Sequence, residues 1–150
     1  MKLLKRFRYR RGNAMIEFAL ATGILVPAFI GTFQFGYTFH IYNNLNSAIR
    51  GGARYASMQS YDSGTSTPST AFSTAVANMV VYGNSAGTGN PVAPGLTIAN
   101  VQVLPTMKGA IPSSITVQIT GYTVDAVFRT FVFNGKPRTT FAYTGTAAPI

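Results

Sequence analysis

Residues 10–57 read RRGNAMIEFALATGILVPAFIGTFQFGYTFHIYNNLNSAIRGGARYAS. From Phe18 to Ala48 the stretch holds no Lys, Arg, Asp or Glu. Its first half, Ala14 to Tyr42, is apolar on every face, and about 20 such residues at a rise of about 1.5 Å each cross a bilayer core. Pro27 removes one backbone hydrogen bond and is expected to kink the helix, which membrane helices tolerate better than soluble ones. Ala19, Gly23 and Gly31 share a face with Pro27 at steps of four, a spacing that lets another helix approach closely. Phe35, Tyr37, Phe39 and Tyr42 gather where the span should leave the bilayer, as an aromatic belt would. Beyond Tyr42 the pattern changes. Leu45, Ala48, Ile49, Ala53 and Ala56 recur at helical spacing among polar residues. The same helix is therefore expected to run to about residue 58 as an amphipathic rod, weakened by Gly51-Gly52.

The flanks of this stretch set the function class. The 150-residue chain is 47% hydrophobic and only 10% charged, against about 25% charged in soluble domains. Its net charge of +9 resembles that of a nucleic-acid binder until the distribution is read. Six of the 12 basic residues (Lys2, Lys5, Arg6, Arg8, Arg10 and Arg11) precede the apolar run. The other six face Glu17, Asp62 and Asp125, a net of +3 over the rest of the chain. A basic run abutting an apolar span is a topology signal that keeps the N-terminus cytoplasmic, so nucleic acid is not an expected partner. Anionic lipid headgroups are.

Downstream, Gln59 to Thr70 has loop composition. Thr70 to Tyr82 carries a helical stripe of Phe72, Ala75, Val76, Met79 and Val80, with Ser69 or Thr70 as N-cap and Gly83 as the C-terminal glycine. Leu96–Leu104 and Ile115–Thr120 read as strands, the second with Ile115, Val117 and Ile119 on one face. For 125–134 two readings stand: a short helix capped by Asp125, or strands Val127–Phe133 and Arg138–Thr144 joined by an Asn134-Gly135 turn, which the β-branched and aromatic content favours. The fold class is α+β: a long N-terminal transmembrane helix continuing into an amphipathic half, then a short helix and a small antiparallel sheet. The expected organisation is a basic leader over 1–12, the helix over 13–58 and a small soluble domain over 59–150.

Catalysis has little to work with. The chain has no cysteine, so thiol chemistry and disulfides are excluded. His40 is the sole histidine and sits at the membrane exit, and Asp62 and Asp125 lie in or beside loops without a paired carboxylate. No phosphate-binding glycine loop or metal-ligand cluster is present, and no His/Asp constellation could activate a serine. Neither an enzyme nor a cofactor is expected.

The junction Arg10-Arg11-Gly12-Asn13-Ala14-Met15-Ile16-Glu17-Phe18 is the informative motif. A carboxylate inside a membrane helix is costly, by about 2.5–3.5 kcal/mol at the bilayer centre, and is a functional signal by default. Near the cytoplasmic edge Glu17 could instead snorkel towards Arg10 or Arg11. The junction resembles the processing site of type IV pilin-like signal peptides, cut by prepilin peptidase just after the glycine. An ordinary secretory signal fits less well, because the apolar run is long and holds Glu17 near its start. The whole opening further resembles the TadE-like family of the Tad/Flp tight-adherence pilus system. Arg10-Arg11-Gly12, Glu17-Phe18-Ala19-Leu20, Pro27, Phe35-Gly36 and Ala48-Ile49-Arg50 leading to Gly52-Ala53-Arg54-Tyr55-Ala56 carry the resemblance. It implies cleavage between Gly12 and Asn13 and a new amine at Asn13 for Glu17 of a neighbouring subunit to pair with. The implied partners are prepilin peptidase, other pilins or pseudopilins and inner-membrane pilus assembly proteins. The implied location is the bacterial inner membrane, with the C-terminal domain extracytoplasmic. One departure stands out: the acid usual before the Gly-Ala-Arg-Tyr run is Gly51 here. Arg50 and Arg54 then need lipid phosphate or another subunit as partner. The role the resemblance implies is a minor pilin or pseudopilin that helps assemble such a pilus; a major filament subunit and a membrane-anchored binding module unrelated to pili are the alternatives.

Overall fold

The computed structural model describes residues 10–127 and 129–146. Helix α1 runs Arg10–Met58 and passes through Pro27, so the last three residues of the expected leader are already helical. The remaining leader residues lie outside the described ones. The chain divides into two compact units, Met1–Tyr37 and Thr38–Ile150.

Within the second unit, α1 presents Ile41, Leu45, Ile49, Ala53 and Ala56 to a core closed by Val76, Val80, Ile115, Val117 and Ile119. Helix α2, Thr70–Tyr82, starts on Ser69, whose hydroxyl accepts from the Phe72 amide (3.1 Å) and donates to Asp62. Gly83 ends it in the left-handed conformation that an L side chain resists. Its buried face is Phe72, Val76, Ala77, Val80 and Val81, with Ala75 and Met79 turned partly outwards from the expected stripe. Gly52 of α1 meets α2 with no room for a Cβ: one built there would collide with the Val80 side chain, with the Val76 carbonyl at 3.6 Å.

A 3-10 turn at Ile98–Asn100 replaces the start of the strand expected at Leu96. Thr97 and Asn100 tie their side chains and backbones into a local box there, which satisfies backbone groups that a strand would leave to a neighbour. Strands β1 (Val101–Lys108) and β2 (Ile111–Ile119) form a hairpin, and β5 (Arg138–Ala142) pairs with the other side of β2. Ile115, Val117 and Ile119 are fully buried, as their alternation predicts. β3 (Tyr122–Asp125) and β4 (Thr130–Phe133) form a separate two-stranded hairpin.

The expected hairpin about Asn134-Gly135 is therefore not formed, nor is the alternative helix. β4 and β5 are strands, but each pairs backwards in the chain. A tight Asn-Gly hairpin turn needs positive φ at both residues, and among the described residues only glycines have it. Asn134 instead turns its side-chain oxygen to the Gly121 amide (2.9 Å), and the Pro137 carbonyl accepts from Ile119 (3.1 Å). These bonds make 134–137 a corner between two stretches of one ribbon.

The end of α1 is closed by the far end of the chain. The amides of Thr144 and Gly145 both donate to the Ser57 carbonyl at 2.9 Å, and the Tyr61 amide donates to the Thr146 carbonyl (3.1 Å). The Tyr143 hydroxyl accepts from the Tyr61 amide (2.9 Å) and reaches the carbonyls of Gln59 and Thr146. The Ser57 carbonyl, in the last turn where intrahelical donors run out, is thus satisfied by a C-terminal strap. Beneath it the Tyr61 ring is buried, its hydroxyl donates to the Thr65 carbonyl (2.6 Å), and burial pushes its pKa above the usual value.

Candidate functional site

The described part of the first unit is helix with its apolar side chains outward. Met15 and Phe18 are 76% and 74% exposed, and Ile16, Leu20, Ile24, Leu25 and Phe29 are also open. α1 is long and apolar enough to cross a membrane. Burying this surface in hydrocarbon removes it from water at about 25 cal/mol per Å². Thr32, a hydroxyl within the run, donates to the Ala28 carbonyl at 2.9 Å and so carries its own partner.

Gly12, Asn13, Glu17 and Phe18 lie in the first two turns of α1 and are all exposed. The side chains of Arg10 and Arg11 lie outside the described residues, and with them the snorkelling alternative for Glu17. Among the described residues no ion-pair partner faces the Glu17 carboxylate. Ala19, Gly23, Pro27 and Gly31 follow along the helix, Gly31 half-buried and the others exposed, and a Cβ on Gly23 or Gly31 would meet nothing within 4 Å. Both are small, open positions on the helix.

In the second unit, Asn43, Ser47, Arg50, Gly51, Arg54 and Met58 are exposed on the side of α1 turned away from the core. Arg50 and Arg54, one turn apart, flank the open Gly51 on that stripe. His40 pairs with Asn44 (3.2 Å) and is exposed, a surface contact one turn apart. Among the described residues there is no group of three or more His, Asp or Glu that could hold a metal ion.

Two features have no counterpart in the expected site. Gly52 is a packing position, distinguishable from Gly51 only once α2 is in place. The β3–β4 hairpin leaves Val127 and Val132 open, 69% and 57% exposed. Its sequence signal is an apolar segment flanked by Arg129, Lys136 and Arg138, half of the six basic residues beyond the leader.

A single long apolar helix followed by a small α+β unit is compatible with a protein anchored in a membrane by that helix. Over that helix the chain is similar to a known family: residues 12–54 match the family model described as TadE-like protein, from the expected cleavage glycine to Arg54. No curated protein and no solved structure matches the chain.

Proposed function

We propose that the chain is a minor pilin or pseudopilin of a Tad (Flp-type) pilus assembly system, held in the bacterial inner membrane with its head extracytoplasmic. Prepilin peptidase cuts it after Gly12. The observation that carries the reading is one acid, Glu17, five residues past that glycine, in a helix whose other side chains from 13 to 37 are uncharged and which matches the TadE-like model. In hydrocarbon the carboxylate and the new Asn13 amine of a neighbouring subunit attract strongly. A subunit docked out of register leaves one charge buried and unpaired, at about 3–5 kcal/mol, so the pair selects the stacking register. Arg50 and Arg54, without the local acid at 51, are free to take an acidic group of another subunit or a lipid phosphate.

The experiment is a Glu17→Ala substitution in cells with and without prepilin peptidase. The variant is expected to insert and to be shortened in the peptidase-positive cells, as a blot shows, yet to lose pilus output. Normal piliation of Glu17→Ala, or a chain that keeps Met1 in the presence of the peptidase, counts against the reading. The same exposed helix could also pack as a major subunit. Sheared filaments composed mainly of this chain would decide for that.

A further inference from the structure

The β3–β4 hairpin sits at a particular place on the second unit. At one end of α1 the Ser57 carbonyl takes the amides of residues 144 and 145, next to β5 and the start of β2. Towards the other end Tyr42 stacks on Phe133 of β4 with ring centroids 6.0 Å apart, and Phe133 stacks in turn on Tyr122 of β3 at 6.0 Å. Tyr122 and Phe133 are the paired residues at the root of the hairpin. Its root is therefore fixed to the helix at Tyr42, in the aromatic cluster where the span is expected to leave the bilayer.

The hairpin's exposed side chains suit that position. Val127 in the closing loop and Val132 on β4 are open, and Phe131 is partly so. Arg129 in the same loop, with Lys136 and Arg138 just beyond β4, is exposed. The one acid of the hairpin, Asp125, is engaged by the Thr130 hydroxyl (2.9 Å). Open valines and phenylalanine bordered by cations match the boundary between acyl chains and anionic headgroups. We infer that the β3–β4 hairpin is a second membrane contact, its loop seated in the lipid headgroup region beside the exit of α1 with Arg129 on lipid phosphate. This rests on α1 being a bilayer anchor and is independent of any role in a pilus.

The chain has no native cysteine, so single labels are clean. Full-length Val127→Cys, Ser66→Cys and Leu25→Cys, each carrying a small fluorophore, are reconstituted at no more than one chain per vesicle. The vesicles are phosphatidylglycerol/phosphatidylcholine containing a nitroxide lipid quencher. Ser66 is exposed in the loop next to Tyr61, past the C-terminal end of α1 and away from Tyr42, and serves as the distant reference. The label at 127 is expected to be quenched by a nitroxide near the headgroup and the label at 66 to be spared. Adding Arg129→Glu should reduce the quenching at 127, more in anionic than in pure phosphatidylcholine vesicles. Equal, weak quenching at 127 and 66 overturns the inference. So does quenching at 127 that appears only when several copies share a vesicle, which assigns the hairpin to a second copy instead. Label 25, read with a quencher deep in the acyl region, separates the causes: if it too is spared, the anchor itself is wrong and the hairpin contact falls with it.

Discussion

Gly51 and Gly52 are neighbours of one kind in one helix, and they do different work. A Cβ on Gly51 meets nothing within 4 Å, whereas one on Gly52 runs into Val80. Gly51→Ala is therefore expected to stabilise the head by about 0.5–1 kcal/mol, the helix-interior cost of glycine. Gly52→Ala gains the same propensity but overpacks the α1–α2 contact, at about 1–3 kcal/mol. Urea denaturation of the two detergent-solubilised variants checks the opposite signs. Nothing in the local sequence separates the two, because the difference comes from a valine 28 positions away. Glu17 is the opposite case: a lone acid in an uncharged run stands out from its neighbours alone and needs no tertiary information to be noticed.

Elements were legible in proportion to how locally they are specified. α2 runs over the expected 70–82 because Ser69, the apolar spacing and Gly83 all act within the segment. Ser69→Ala should cost about 0.5–2 kcal/mol and speed hydrogen exchange of the Phe72 amide, which loses its acceptor. Strand β2 is legible from Ile115 to Ile119 because its central place buries every second residue there. The pairing of β4 and β5 was not. It depends on Asn134 reaching the Gly121 amide, a bond across 13 positions that competes with the local turn and wins. The family resemblance, carried by residues 12–54, says nothing about that sheet.

At the scale of the molecule the first half of α1 turns its apolar side chains outward while the head buries its own. The α+β class and the long apolar helix are both found as the sequence implies, because composition and charge distribution suffice for them. The head's own stability should show an alkaline limit. Folding favours the neutral form of buried Tyr61, so that contribution is fully present below its ordinary pKa of about 10 and is lost as pH rises through the raised folded value. Denaturation midpoints at pH 9 and 11 should fall further apart for the wild-type chain than for Tyr61→Phe. Near Tyr61 the C-terminal strap hands its amides to Ser57, so a tug on the chain beyond residue 146 is borne first by hydrogen bonds to the end of α1 and to Tyr61. Tension entering there is delivered to the helix before it loads the sheet, as a rope made fast to a mast spares the sail.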